Sequence, residues 1–131
     1  MYNKEIMSLD DVKRVAEAAE AEALRNNWNV VIAVVDDGGH LMYLQREKVQ
    51  LGSVDVAISK AKTALMFRRP TRFWEDTVAE GRQGYLALSN MLPIEGGVPL
   101  RYDNEIVGAI GISGVKSSQD GQIAQAGAAA L

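Results

Sequence analysis

Cysteine is absent from this 131-residue chain, and histidine occurs once, at His40. The first absence excludes disulfides, thiolate metal sites and a cysteine nucleophile. With one imidazole and no thiol there is also little from which to build a zinc site. Long hydrophobic runs are missing: the longest aliphatic stretch, Val30 to Val35, falls far short of the roughly 20 residues a membrane-spanning helix needs. Met1 to Asp10 carries acids where a secretory leader has a cationic start and an apolar centre, so the chain is expected to be cytoplasmic. Charge of one sign is scarce as well. The formal net charge is −3, which provides no broad basic surface and argues against a nucleic-acid partner. No GxSxG nucleophile motif occurs, and no catalytic triad can be assembled around the lone histidine. What is present suits one ordinary globular domain: 47% hydrophobic and 24% charged residues, in a chain long enough for one core and too short for two.

The stretch from Pro93 to Gly114 organises the rest. Val98 to Tyr102 and Glu105 to Ser113 read as two strands joined at Asp103-Asn104, a pair that tolerates the left-handed backbone of a tight hairpin. By alternation, Ile106, Gly108, Ile110 and Ile112 share one face of the return strand, and Val107, Ala109, Gly111 and Ser113 the other. The second face has almost no bulk, so a packed helix or a ligand must approach the backbone closely there.

Upstream, Ser8 and Asp11 resemble a capping box opening a helix to about Arg25, with Leu9, Val12, Ala16, Ala19 and Ala23 as its apolar stripe. Asn29 to Val35 is a β-branched strand, apolar on both parities and so expected to be central. Asp36 to Gly39 turns the chain, and His40 to Arg46 returns, with His40, Met42, Leu44 and Arg46 on one face. Ser53 caps a second helix to about Phe67, with Val54, Ile58, Ala61 and Leu65 inward. Pro70 separates it from a shorter helix, Arg72 to Ala79, capped by Thr71. Tyr85 to Met91 reads as a short helical piece. Ser117-Ser118 caps a last helix, Gln119 to Ala130, whose Gly127 implies tight contact with the small-residue face of the strand ending at Ser113. Hairpins dominate this order, which is that of an α+β fold with an antiparallel sheet.

The segments DDGGHL, LGSVDVAISKAKTALMFRRPT, PIEGGVPL and IVGAIGISGVKSSQDGQIAQAG resemble the GlcG/HbpS family, also known as the DUF336 domain. The resemblance runs from about Ser8 to Leu131. It implies a profilin-like α+β fold, with a five-stranded antiparallel sheet flanked by helices, and symmetric homo-oligomers from dimers to octamers. Its implied biochemistry is wider. Some members bind haem or sense iron, a related domain is fused to a corrinoid adenosyltransferase, and many accompany glycolate or diol utilisation genes without an assigned reaction. Some haem-binding members are secreted, and the start of this chain departs from them.

Two candidate sites follow. His40 is either an axial haem ligand, and so the one candidate metal-binding residue, or a general acid/base near neutral pH; the alternative is a strand-start histidine bonded to its own turn. Met42 and Met66 are weak iron ligands or core, and Arg46, Arg69 and Lys62 are cations available to propionates. Glu95, Gly96 and Gly97, with Pro99 beyond, form the second candidate: paired glycines let a ligand approach the backbone, and Glu95 serves as base, metal ligand or polar anchor. The structural alternative is a strained loop whose carboxylate accepts backbone N–H bonds. Lys60 and Lys62 either approach Glu95 or Asp120 or form a solvated face. Gly108, Gly111 and Gly114 match no phosphate-binding pattern. The reading is a homo-oligomeric small-molecule-binding domain with haem as the first ligand, its pocket lying where His40, Glu95 and the second helix converge. The rivals are a small lyase, isomerase or hydrolase using Glu95 with His40 or Lys60, and a purely structural partner of another enzyme.

Overall fold

A computed structural model describes residues 1–131. Four α-helices and four strands alternate as α1 (Leu9–Arg25), β1 (Val31–Asp36), β2 (Leu41–Arg46), α2 (Ser53–Phe67), α3 (Thr71–Ala79), β3 (Gly97–Tyr102), β4 (Glu105–Ser113) and α4 (Ser117–Ala128). A single 3-10 turn, Gln83–Ala87, lies between α3 and β3. The strands form one antiparallel sheet in the order β2-β1-β4-β3. Helices α1 and α4 cover one face, and α2 covers the other.

Local chemistry accounts for most of these boundaries. The Ser8 hydroxyl accepts the Asp11 N–H at 3.1 Å while the Asp11 carboxylate accepts the Ser8 N–H at 2.8 Å, closing the reciprocal box at the start of α1. Asp103 and Asn104 both take positive φ, 49° and 64°, as a two-residue hairpin turn matched to strand twist requires. Central strand β1 is buried on both faces from Val31 to Val35, with hairpin partner β2 on one side and β4 on the other.

The sheet has four strands, not five. The chain before β3 cannot supply another, because Asn90 and Gly96 take positive φ (59° and 135°) and Pro93 between them has no N–H to donate. Two bulges also break the expected alternation. One, between Val34 and Val35 opposite β2, leaves Leu44 against α2 but turns Met42 to the core on the other face. The other, between Leu100 and Arg101, sends Val107 to the main core and Ile106 to the α2 side.

The small-residue face of β4 is met by α2. Ala33, Gly111 and Gly97 are cross-strand neighbours on β1, β4 and β3, and they form a smooth trough on which the helix lies. A Cβ on Gly111 would stand 2.0 Å from the Ala57 carbonyl oxygen, and one on Gly97 2.1 Å from the Lys60 carbonyl oxygen. Gly127 of α4 instead admits Ile110 and α1 on the opposite face, so its contact differs from the one its position in the chain implied. Leu9 is exposed, and Val15 takes its expected place in the α1 stripe. Helix α4 begins at Ser117 itself, with Lys116 as cap, so the two serines lie in its first turn. No helix is long and apolar enough to cross a membrane.

Candidate functional site

The Asp36–Gly39 turn sets the position of His40. The Asp36 carboxylate accepts the N–H groups of Gly38 and His40, both at 2.9 Å, and the His40 bond above all holds the Asp36 carboxyl below the usual carboxylate range. His40 is therefore anchored through its backbone, while its ring lies exposed against Gly38 at the wall of a cavity of about 790 Å3. Met66 and Phe67 at the end of α2, together with Lys62, form a second wall, and Met91 and Leu92 close a third. Leu92 is fixed there because its N–H donates to Thr63 Oγ1 at 3.0 Å.

Glu95 belongs to a different cavity, of about 430 Å3, between the first turns of α3 and α4 and the Glu95–Val98 segment. The two glycines after Glu95 are taken up by packing. Gly97 donates its N–H to the buried hydroxyl of Thr71 at 2.9 Å, Gly96 accepts the Ile112 N–H at 2.9 Å, and Lys60 presses on both. Their backbone thus shapes the cavity floor. Glu95 donates its N–H to Glu75 at 3.1 Å and lays its carboxylate on the Cα of Gly121, where a Cβ would come within 2.2 Å of Oε2. Alanine would favour the helix over glycine at that position by about 1 kcal/mol, so the missing methyl is a seat for the carboxylate. Burial pushes the Glu95 carboxyl above the usual range; Arg72 opposes this, Glu75 and Asp76 reinforce it, and Lys60 opposes it from below.

Lys60 is an ion-pair partner inside the protein. Only 2% exposed, it donates to Asp120 Oδ2 and to the Ile112 carbonyl, both at 3.0 Å. Asp120 in turn accepts the Val115 N–H at 3.2 Å. Burial pushes the Asp120 carboxyl up, and the Lys60 ammonium pulls it back. Its position in the chain carried a signal: Ala57, Lys60, Ala61 and Ala64 occupy one helical face, so a lysine stands in the middle of the smallest-residue stripe. Gly121 was not singled out by the sequence, and Thr71 only as a helix cap; Pro70 takes the cap position, and the Thr71 hydroxyl serves Gly97 instead.

The remaining candidates are dispersed. Met42 packs into the main core, away from the His40 cavity. Arg46 is exposed at the far end of β2. Arg69 stacks over the Phe73 ring at 4.2 Å and stands 5.5 Å from that of Trp74. Pro99 is buried on the edge strand β3 opposite Ala109. Within the chain, His40 and Glu95 line separate cavities, so the single convergent pocket expected from the sequence is two. No group of three or more His, Cys, Asp or Glu side chains is placed to hold a metal ion.

Comparison with known proteins gives this arrangement a context. The chain is 40% identical over 114 residues to protein GlcG of Escherichia coli K12, covering 86% of this chain and 85% of that one. It superposes with a TM-score of 0.85 and 29% identity on a PduOC–haem complex, covering 97% and 96% of the two chains. An HbpS double mutant of Streptomyces reticuli gives a TM-score of 0.90 at 28% identity, covering 100% and 90%. The family model described as haem degrading protein HbpS-like matches residues 7–129, nearly the whole chain with the sheet and all four helices inside it, and the protein belongs to the HbpS-like family.

Proposed function

We propose that this protein is a small-molecule-binding domain whose ligand is haem, held in the His40 cavity. The observation that carries the reading is the composition of that cavity: an exposed imidazole, two thioethers, an aromatic ring and a lysine around about 790 Å3. These groups fit haem. His40 would hold the iron through its ring, Met66, Phe67, Met91 and Leu92 would cover the macrocycle, and Lys62 would face a propionate. Haem would supply iron redox and ligand-binding chemistry; the chain supplies orientation and an apolar wall. The similarity to a PduOC–haem complex supports the same ligand class. Arg46 and Arg69 lie outside this cavity and are not needed as propionate partners.

Titration of the protein with hemin should yield a sharp Soret band with a fixed stoichiometry, and His40→Ala should shift the band and weaken binding about ten-fold or more. A spectrum and affinity indifferent to that change would leave only unspecific porphyrin adhesion. The reading includes self-association, supported by exposed Leu86, Leu88 and Ile94 in the segment of chain that leads to Glu95. Light scattering should give a mass of at least two protomers; a strictly monomeric mass at micromolar concentration would remove that part.

A further inference from the structure

The Glu95 cavity has no part in holding haem, yet it is built. Its floor is the Gly96-Gly97 backbone pinned by Thr71, one wall is the first turn of α3, and the other is α4 with Gly121 cut away to seat a carboxylate. Its charges do not balance. Arg72 is drawn to Asp76, 3.6 Å away, and Lys60 is committed to Asp120 and the Ile112 carbonyl, while Glu75 and Asp76 stand beside Glu95. Glu95 is therefore left without a cation of the chain in hydrogen-bonding contact. Pro70, Phe73 and Val98 give the cavity an apolar side beside its charged and amide side chains, so the space suits a small guest with a short apolar body and one polar end. Ser118 and Gln125 on α4 offer further acceptors for its N–H groups.

We propose that this cavity is a second ligand site, distinct from the His40 cavity, that takes a small organic cation, an amine or guanidine, on the Glu95 carboxylate. A charged N–H donor gives Glu95 a hydrogen-bonded counter-charge, which Arg72 and Lys60, each engaged elsewhere, supply only at a distance, and the bond is of the strong charge-assisted class. An anionic guest would meet Glu95 and Asp76 instead, and a neutral alcohol would leave the imbalance in place.

Propylammonium serves as the probe, with propionate and 1-propanol as its anionic and neutral counterparts, followed by amide chemical shifts in the 15N-labelled full chain. Propylammonium should produce saturable shifts at Gly96, Gly97, Ser118 and Gly121, and the other two should produce none. Glu95→Gln should weaken the response at least ten-fold. Gly121→Ala tests the seat without touching the charge: it displaces the carboxylate while favouring the helix, so binding should fall as thermal stability holds or rises. His40→Ala should leave propylammonium binding unchanged, which separates this site from the haem reading. Equal responses to all three probes, or a saturable response that survives both Glu95→Gln and Gly121→Ala, would overturn the proposal.

Discussion

Lys60→Ala should cost about 3–5 kcal/mol of folding stability at neutral pH, the usual result of leaving one member of a buried ion pair unpaired. For a domain of this size that is a large part of the roughly 5–15 kcal/mol that holds such folds together. The argument rests on what Lys60 joins. It rises from α2, passes the Gly96-Gly97 backbone, and ends on Asp120 of α4 and the Ile112 carbonyl of β4, so one side chain ties both helical layers to the sheet. Without the ammonium, Asp120 stays 2% exposed and faces an empty space. Urea unfolding measures the loss. The double replacement Lys60→Met with Asp120→Leu removes both charges and should recover most of it, because an apolar pair of similar volume has no desolvation cost. A midpoint for Lys60→Ala equal to wild type would show that the pair holds nothing.

The same variant has a pH signature. Burial places the folded-state pKa of Asp120 above its unfolded value, so across the window between the two the folded chain holds the extra proton and stability falls as pH rises. Removing Lys60 takes away the main influence pulling that pKa down, and the window widens upward. The deficit of Lys60→Ala relative to wild type should therefore be largest near pH 7. It should shrink as pH falls toward the ordinary carboxylate pKa of about 4, because the folded-state carboxyl, raised above that value by burial, takes up its proton on the way and the stranded charge disappears. A deficit constant between pH 7 and pH 4 would mean that lost packing, and not the stranded charge, dominates.

Gly111→Ala is expected to destabilise by about 3 kcal/mol or more, the upper part of the range for overpacked cores. The added methyl would stand 2.0 Å from the Ala57 carbonyl oxygen and 2.6 Å from the Ala61 nitrogen, both backbone atoms of α2. No rotamer change relieves such a contact; the helix must lift off the sheet, and the Ala109–Ala61–Ala64 packing opens with it. Gly52→Ala is the control, since a methyl there meets nothing within 4 Å. Calorimetry should show a drop of many degrees for the first and little change for the second. Equal melting temperatures for Gly111→Ala and wild type would mean that α2 does not lie in the trough as described.

Some of this arrangement follows from the chain alone. Apolar periodicity, the Ser8–Asp11 capping box and the left-handed tolerance of Asp103-Asn104 act over a few residues, and they determine the helices, the hairpins and the α+β class. The bare face of Val107 to Ser113 also revealed that something lies close to β4. Which element fills that place was beyond local chemistry: α2 and α4 both present small residues, and the choice was made by the whole sheet when Ala33, Gly111 and Gly97 came into line across three strands. The Lys60–Asp120 pair joins positions 60 residues apart. The bulges at Val34/Val35 and Leu100/Arg101 each reverse a face that simple alternation assigns. His40 and Glu95, neighbours in the sequence argument, fell into separate cavities because they precede β2 and β3, the two opposite edges of the sheet. A strand pattern tells which residues share a side only while the register is regular, and tertiary packing decides where it slips.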